Sequence, residues 1–486
     1  MKKPFVQLFR TPNAYYVLDA NNNEFIQVSG EAFAYLCEVL SERKAWNAEE
    51  VQELGKWAEQ GYLSTKSNVN DLSHTYTKYL KYFLDRKLSK VTLQLTQGCN
   101  FRCKYCVYSE EGKPRQRSHS EKTMSFETAK KAIDFFQEHS VDSKNVNIGF
   151  YGGEPLLEYP LLKEVVNYAK ERFRGKKLTF SITTNATLLN EEIITYFQEH
   201  DFGLLISLDG PKEINDLNRV FPDGTGTFDE IIKSIELISK VSPEYAERLM
   251  INMVVDPNND FDCYNLAEFE GERLRRSMFS SSVVENDYGD AGTVFSEDYS
   301  WKSEYQSFLA VLSHFGRFPE ESVSPLAEAG VKSAVRDYSR IANGGKLRAV
   351  DLPSGPCIPG QMRLFVNVDE KLLPCERVSE KSHDMSIGTL SEGFDYQRAE
   401  KILNVAKLMD ADCKNCWAFR YCTLCVKKAD DGTALSKAAI QTHCQSIKAG
   451  AYDKLQLHLL LREAAVYYPG QIRDDELTGL GGEVYW

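Results

Sequence analysis

The distribution of cysteine constrains this chain more than any other feature. Twelve cysteines occur in 486 residues, and ten of them lie in two groups. The groups consist of Cys99, Cys103 and Cys106, and of Cys357, Cys375, Cys413, Cys416, Cys422, Cys425 and Cys444. The N-terminal residues do not form a signal-peptide core, so we expect a cytoplasmic protein. In such a protein, cysteine groups indicate metal or redox chemistry far more often than disulfides. Cys37 and Cys263 stand alone and are predicted to fill the core.

Composition argues against several classes of partner. Hydrophobic residues make up 42% of the chain, and no apolar run approaches the length that crosses a bilayer. The formal net charge of −12 argues against binding to a phosphate backbone. We therefore expect a globular protein that binds neither a membrane nor nucleic acid.

Residues 1–85 are predicted to form a unit of their own. Three short strands and then two helices are expected: Val6–Phe9, Tyr15–Leu18, Phe25–Val28, Glu31–Leu40 and Ala48–Gln60. Strands followed by helices describe a small winged-helix-like α+β domain.

Alternating strands and helices begin near residue 91 and define a second predicted domain, residues 86–350. Five apolar runs suit buried parallel strands: Val91–Leu95, Val146–Phe150, Leu178–Thr183, Leu204–Leu208 and Leu249–Val255. Segment Ser125–Glu138 has helical apolar spacing, with Ser125 as its N-cap. Residues 256–350 are predicted to be mixed and mostly helical. Repeated βα units build an α/β parallel barrel or open sheet, with chemistry at the carboxyl ends of the strands. A cysteine-rich domain, 351–450, and a C-terminal helix and tail, 451–486, complete the chain.

The first cysteine group follows the first barrel strand directly. Its spacing, C-x3-C-x2-C, can ligate three irons of a four-iron cubane and leaves the fourth iron open. A zinc site is the alternative, although zinc normally takes four ligands. The spacing resembles that of the radical S-adenosylmethionine (SAM) superfamily. Further matches to that family, in order along the chain, are Tyr105, Gly152-Gly153-Glu154-Pro155, Asn185, Ser207 and Arg219.

This resemblance implies a partial (β/α)6 barrel that binds SAM beside a [4Fe-4S] cluster. The implied contacts are Gly152, Gly153 and Glu154 for the methionyl amino group, Tyr105 for the adenine, Ser207 and Arg219 for the ribose and carboxylate, and Asn185 beside them. The reduced cluster would cleave SAM to methionine and a 5′-deoxyadenosyl radical, which takes a hydrogen atom from a substrate carbon. A flavodoxin- or ferredoxin-type protein would donate the electron.

The second cysteine group resembles the SPASM domain, which holds two auxiliary clusters in many peptide-modifying radical SAM enzymes. A zinc ribbon would separate its two C-x2-C pairs by about 15–20 residues, and five residues separate them here. The resemblance implies one auxiliary cluster on Cys413, Cys416, Cys422 and Cys444 and another on Cys357, Cys375 and Cys425. Three [4Fe-4S] clusters are thus expected. The sequence departs from the family pattern in its last interval, which is x2 instead of x3, and in Glu370, which replaces a glycine.

Seven cysteines leave one auxiliary iron without a thiolate. Sulfatase-maturating relatives carry another cysteine shortly before the position of Cys357, where this chain has Asp351–Pro356. An open iron can bind a substrate thiolate near the carbon radical, which would give a thioether. Glu376, directly after Cys375, matches an acidic proton acceptor of sulfatase maturases and is the candidate catalytic residue. The alternative for Glu376 is a structural or solvated carboxylate.

Together these matches predict a radical SAM peptide maturase that forms thioether cross-links in a ribosomally made precursor, as sactipeptide and ranthipeptide synthases do. The N-terminal domain resembles the leader-recognition element of such enzymes, with Phe25–Val28 and the helix Ala48–Gln60 as its groove. A domain that only caps the barrel is the alternative. Three other functions stay open: a carbon–carbon cross-linking maturase, a sulfatase-type formylglycine-forming maturase, and a zinc-stabilised peptide-binding module without catalysis.

Overall fold

The computed structural model describes residues 2–106, 120–256, 278–283, 295–342, 345–353 and 355–467. Cys263, which is predicted to lie in the core, falls outside these residues. Among the described helices, none combines the length and the apolar character needed to cross a membrane.

An antiparallel three-stranded sheet and two helices form the N-terminal unit. Its elements are β1 (Val6–Arg10), β2 (Tyr15–Asp19), β3 (Glu24–Val28), α1 (Gly30–Leu40) and α2 (Gln52–Glu59), and a short strand β4 (Asp71–Leu72) follows. The three predicted strands and the first helix are confirmed. Cys37 is only half-buried on α1, so its prediction as a core residue is wrong.

The second predicted helix, Ala48–Gln60, is wrong in its extent. A 3₁₀ turn at Ala48–Glu50 is separated from α2 by Val51, which has extended backbone with φ −120°. The Val51 side chain is buried with Leu54 in the core of the N-terminal unit. The chain leaves the helical conformation at Val51, where this β-branched side chain enters the core.

Six parallel strands form the barrel. They are β5 (Lys90–Thr96), β6 (Asn145–Gly152), β7 (Lys177–Thr184), β8 (Phe202–Ser207), β9 (Met250–Val255) and β10 (Met278–Val283). All five predicted strands are confirmed, and β10 supplies the sixth. Strand β10 lies in the segment 256–350, for which the sequence predicts mostly helix. Three successive serines give it little apolar character, which is why the apolar pattern does not reveal it.

Helices cover the outer face of the barrel. They are α3 (Leu80–Arg86), α4 (Phe126–Glu138), α5 (Tyr159–Arg172), α6 (Glu191–Glu199), α7 (Lys212–Asn218), α8 (Phe228–Val241) and α9 (Pro243–Ala246). The Ser125 hydroxyl accepts a hydrogen bond from the Thr128 amide at 3.0 Å, so the predicted N-cap of α4 is confirmed. Two further helices, α10 (Glu297–His314) and α11 (Pro325–Ala342), pack against each other.

The two faces of the barrel strands are buried to different degrees. On β7, Phe180 and Ile182 are almost fully buried, whereas Ser181 and Thr183 are partly exposed. The same alternation runs along β8 and β9. Because the fully buried side chains pack against the helices, the partly exposed ones face the inside of the barrel. A closed (β/α)8 barrel is filled by side chains, whereas this one keeps a lumen that water can reach.

The barrel sheet continues into the cysteine-rich segment. After β11 (Val350–Asp351), β12 (Leu364–Val366) pairs in parallel with β5, and β13 (Lys371–Leu373), β14 (Gly388–Thr389) and β15 (Gly393–Phe394) extend that edge. The remaining helices are α12 (Tyr396–Leu403), α13 (Asp410–Lys414) and α14 (Lys437–Tyr467). One ten-stranded sheet therefore crosses the predicted boundary at residue 350.

The N-terminal sheet packs on the last helix, α14. Phe9 is fully buried and stacks on Tyr452 with ring centroids 4.6 Å apart. The Phe9 ring also meets Trp417 edge-on at 6.4 Å. The Tyr16 hydroxyl donates a hydrogen bond to the Glu463 carboxylate at 2.8 Å. The N-terminal unit thus rests on the helix that carries the last cysteine.

Candidate cluster and cofactor site

The loop after β5 brings the first three cysteines together. Burial is the main cause that raises the pKa of the Cys99 and Cys103 thiols to about 12, and the charge of Cys106 contributes to both shifts. The Phe101 amide donates a hydrogen bond to the Cys99 sulfur at 3.3 Å. Three thiols that lie close together in a buried loop are a suitable donor set for a metal cluster, whose binding would displace their protons.

Backbone hydrogen bonds hold the cluster loop from two sides. The Arg102 amide donates to the Val220 carbonyl at 2.7 Å, which ties the loop to the segment after α7. The Glu154 amide donates to the Gly98 carbonyl at 2.9 Å, which ties it to the loop after β6. The predicted SAM-binding motifs therefore support the cluster loop directly.

The two predicted glycines are required by this contact between loops. Gly152 has a φ of +140°, and a Cβ there would overlap the Thr96 carbonyl. A Cβ on Gly153 would overlap the Gly98 carbonyl oxygen and stand 2.5 Å from the carbonyl carbon. The Gly153 amide in turn donates to the Thr96 carbonyl at 2.8 Å. Glycine at both positions lets the two backbones touch.

Glu154 ties the loop after β6 to the end of β7. Its carboxylate is almost fully buried and accepts hydrogen bonds from the Leu156 amide at 3.0 Å, the Thr184 hydroxyl at 2.7 Å and the Asn185 amide at 2.8 Å. Burial raises the pKa of Glu154 to about 7, although these three hydrogen bonds oppose the shift. A carboxylate accepts about four hydrogen bonds, so one position remains for a ligand such as an ammonium group.

The other predicted polar contacts lie at the carboxyl ends of β7 and β8. The Asn185 side chain donates to the Asn100 side chain at 2.8 Å, so it reaches the cluster loop. It also accepts a hydrogen bond from the Thr187 hydroxyl at 2.8 Å. Ser207 ends β8, is partly exposed, and stands opposite Asn252 in the ladder with β9.

Asp209 joins two of the predicted SAM contacts and is a site residue that the sequence reasoning misses. Its carboxylate lies 3.0 Å from the Arg219 Nε, accepts from the Val254 amide at 2.9 Å, and accepts from the Tyr105 hydroxyl. The Arg219 guanidinium lies 5.5 Å from the centre of the Tyr105 ring. Burial acts to lower the pKa of Arg219, but the charges of Asp209, Tyr105 and Cys103, together with the side-chain interaction with Asp209, outweigh burial and raise the pKa. The sequence feature that could have identified Asp209 is its position just after a barrel strand.

The second cysteine group divides into four and three. Burial is the main cause that raises the pKa of Cys413 to about 12, with contributions from Cys422, Cys416 and Cys444. Partial burial, and then the charge of Cys425, raise the pKa of Cys357. Arg363 lies near both Cys357 and Cys375. Burial and the charge of Arg377 lower the pKa of Arg363, and the charges of the two cysteines oppose that shift. This division matches the two ligand sets that the SPASM resemblance implies.

Gly355 occupies the stretch in which sulfatase-maturating relatives carry a further cysteine. It packs on the segment between the last two C-x2-C cysteines, and a Cβ there would stand 2.6 Å from the Leu424 carbonyl oxygen. A side chain at this position would need the backbone to move. The packing therefore disfavours an eighth thiolate at residue 355.

Glu370 adopts the backbone conformation that glycine normally supplies. Its φ is +63°, in the turn between β12 and β13. Its carboxylate forms an ion pair with Lys131 at 2.9 Å and accepts from the Thr128 hydroxyl at 3.2 Å. The left-handed conformation explains the glycine of the family pattern, and the turn forms here with glutamate instead.

Glu376 lies beside the group of three cysteines and pairs with Arg363. The Arg363 Nε donates to one carboxylate oxygen at 3.2 Å, and Nη2 contacts the other oxygen. The Glu376 side chain is 11% exposed. The structure thus places the candidate proton acceptor near Cys375 but already paired with a cation.

The arrangement of the metal-ligating side chains bears on the kind of metal that they could hold. Within the residues that the structure covers, no three Cys, His, Asp or Glu side chains are arranged to hold one metal ion. In a four-iron cluster each thiolate binds a separate iron, so the sulfurs stand farther apart than the ligands of one ion.

Comparison with known proteins gives a family for the barrel. Residues 93–269 match the Radical SAM superfamily. An uncharacterized protein of Methanocaldococcus jannaschii is 33% identical over 151 residues, which are 31% of this chain and 49% of that protein. The cysteine-type anaerobic sulfatase-maturating enzyme of Clostridium perfringens is 24% identical over 375 residues, which are 74% of this chain and 94% of that enzyme.

A solved structure shares the fold. Native anSMEcpe with bound AdoMet and the Cp18Cys peptide aligns with a TM-score of 0.55 at 19% identity. The alignment covers 77% of this chain and 99% of that one. The matched family segment contains the first three cysteines and all of the predicted SAM contacts.

Proposed function

We propose that this radical SAM protein is a SPASM-type peptide maturase that links a cysteine sulfur to a carbon of a precursor peptide. The proposal is carried by the absence of an eighth cysteine, and it is supported by the proximity of Cys413 to Cys416, Cys422 and Cys444 and of Cys357 to Cys425. The group of three, Cys357, Cys375 and Cys425, leaves one iron of a cubane for another ligand. A substrate thiolate is a suitable ligand for that iron.

The roles of the chain's own residues follow from their contacts. When bound, SAM and the cluster at the first three cysteines supply a 5′-deoxyadenosyl radical that takes one hydrogen atom from a substrate carbon. Glu154 and Asp209 hold the surrounding loops in place, and the remaining position on the Glu154 carboxylate accepts the SAM ammonium. Glu376 takes the thiol proton when the sulfur binds. Each link then forms with loss of one hydrogen atom from carbon and one proton and one electron from the thiol.

A sulfatase-type, formylglycine-forming function is the second candidate. It is favoured by the similarity to the Clostridium perfringens enzyme, which extends over 94% of that protein. The absence of a cysteine from Asp351–Pro356 favours the thioether instead, because sulfatase maturases carry an additional cysteine in that stretch. A carbon–carbon cross-link would need no open auxiliary iron.

The N-terminal unit is proposed to bind the leader of the precursor. Within the described residues β3 pairs with β2 on one side, which leaves its other edge for strand addition. Glu53 of α2 accepts a hydrogen bond from the Ser29 amide at 3.1 Å, so the helix is held at the end of β3. A precursor without its leader should bind at least about tenfold more weakly in an anisotropy titration. Equal affinity would remove this part of the proposal.

Mass spectrometry of a modified precursor tests the reaction. A thioether predicts a loss of two hydrogens per link and cysteines that no longer react with an alkylating reagent. Free thiols in the product would favour carbon–carbon chemistry, and a formylglycine product would support the sulfatase-type function. We expect three [4Fe-4S] clusters, about 12 irons per chain, and reduction by a flavodoxin- or ferredoxin-type donor.

A matched variant tests the role of the first cluster. Replacement of Cys99, Cys103 and Cys106 by alanine should abolish deoxyadenosine formation and remove about four irons per chain. The auxiliary clusters should remain. Continued SAM cleavage by this variant would contradict the assignment of the first cysteine group as the ligands of the SAM-binding cluster.

A further inference from the structure

The side chain of Lys90 lies along the inner face of the barrel wall. Lys90 begins β5, and its Nζ lies 3.2 Å from the Ser181 hydroxyl on β7. Its Cε passes Gly149 of β6, where a Cβ would stand 3.1 Å away. The Ser181 hydroxyl in turn donates to the Asn147 side chain at 2.9 Å. The side chain therefore extends across β6 through the partly exposed inner face.

The Lys90 ammonium forms its hydrogen bond with an uncharged group. Within the described residues its hydrogen-bond partner is a neutral hydroxyl, and no carboxylate forms an ion pair with it. Burial, and then the charge of Arg363, lower its pKa to about 8. A cation that is largely removed from water is unfavourable without an anion. Hydrogen bonding to an anionic ligand would relieve that cost.

A second cation stands next to Lys90. Leu364 of β12 pairs with Val91 of β5, so Arg363 is the neighbour of Lys90 across that ladder. Glu376 contacts Nε and Nη2, which form one edge of the guanidinium. A guanidinium has five N–H donors in a fixed fork, so the edge that carries Nη1 remains for a ligand. The Arg363 side chain is 46% exposed, so it remains accessible to a ligand.

We propose that Lys90 and the outer edge of Arg363 form a subsite that binds a carboxylate of the precursor peptide. The inference rests on the proposed peptide substrate, whose anionic groups are acidic side chains and the C-terminal carboxylate. Both sources present the same planar group, which accepts charge-assisted hydrogen bonds from ammonium and guanidinium.

The position of the subsite sets a spacing along the peptide. Ser181, which marks the Lys90 ammonium, lies three residues before Thr184, where β7 ends beside Glu154. Three residues of a parallel strand span ~10 Å. An extended peptide covers this distance in about three residues. The carboxylate is therefore expected about three residues from the modified position.

Defined peptides test the subsite without catalysis. The probes are fluorescently labelled Cys-Ala-Ala-Asp amide, its Asn counterpart, and Cys-Asp-Ala-Ala amide with the acid moved. Cys-Ala-Ala-Ala as a free acid and as an amide separates a terminal from a side-chain carboxylate. Anisotropy titrations use the anaerobic holoenzyme, and the Asp peptide should bind about tenfold more tightly than the Asn peptide.

Variants then assign the preference to Lys90. Lys90→Met should bind the Asp and Asn peptides equally, and Lys90→Arg should restore part of the preference. Lys144→Met is the matched control, because Lys144 is exposed outside the barrel, and it should behave like the unaltered chain. A lysine that only supports the fold would change the unfolding midpoint but not the ratio of the two affinities. Iron content and cluster spectra establish that each variant carries its clusters.

The results that overturn the inference are distinct from failure of the proposed function. The subsite proposal is overturned if the Asp and Asn peptides bind with equal affinity or if neither peptide binds. A preference that persists in Lys90→Met also overturns it. The proposed function fails on a different observation, a precursor that gains no cross-link in the mass spectrum.

Discussion

Replacing Gly153 by alanine tests whether the contact between the two loops maintains the cluster site. The added Cβ would stand 2.5 Å from the Gly98 carbonyl carbon, and ordinary carbon–carbon contacts are about 3.5 Å or more. The loops must therefore separate by ~1 Å. The hydrogen bonds from the Gly153 amide to Thr96 and from the Glu154 amide to Gly98, now 2.8 and 2.9 Å, would exceed hydrogen-bond length.

The loss of these two bonds sets the expected magnitude. A buried polar group left without a partner costs about 1–3 kcal/mol, so the two bonds together are worth roughly 2–6 kcal/mol. The free energy of unfolding should fall by that amount, and the thermal midpoint by at least ~2 °C. Because the displaced loop carries Cys99, iron content and deoxyadenosine formation should fall as well.

The assay compares Gly153→Ala with Gly330→Ala after anaerobic reconstitution. Gly330 lies in α11 with open space around its Cα, so alanine there should leave stability equal or raise it by up to ~1 kcal/mol. Thermal unfolding, iron analysis and SAM cleavage are measured on both variants. A Gly153→Ala protein with the midpoint, iron and SAM cleavage of the unaltered chain would refute the reasoning.

Three further substitutions probe the features described above. Glu370→Gly should raise the free energy of unfolding by roughly 0.5–1 kcal/mol, because relief of the left-handed backbone outweighs the loss of the ion pair with Lys131 at the surface. A lower free energy of unfolding in a denaturant titration would contradict this. Phe9→Ala should destabilise the packing of the N-terminal unit by about 3–5 kcal/mol and speed proteolysis there, and unchanged proteolysis would count against that packing. Glu154→Gln should cost about 1–3 kcal/mol, because an amide nitrogen would face the Asn185 amide; an unchanged urea midpoint would show that the carboxylate is dispensable.

Local signals make the cluster site predictable from the sequence. Each of the five predicted barrel strands is an apolar run, and the chemistry-bearing residues follow where a run ends, as Cys99 follows β5 and Asn185 follows β7. Cysteine spacing is equally local, since Cys99, Cys103 and Cys106 lie within eight residues of one another. These features can be recognised from short stretches of the sequence.

Features that depend on distant residues are not predictable in this way. Asp209 gains its role from Tyr105 and Val254, which lie far from it in sequence. The three-residue strand β12 is too short to be recognised, and it exists because β5 offers it an edge. Helix α2 begins late because Val51 is drawn into a core that only the folded sheet provides.

The position of α14 has a consequence for how the protein is made. Phe9 and its partner Tyr452 lie 443 residues apart in the sequence, so β1 is translated long before the helix that covers it. Cys444, on the same helix, is also the last thiol of its group to emerge. The proposed cluster of this group can therefore be completed only after Cys444 has been translated. A chain that stops before α14 would expose the Phe9 ring and lack the proposed ligand Cys444, so we expect it to be degraded faster than the full chain.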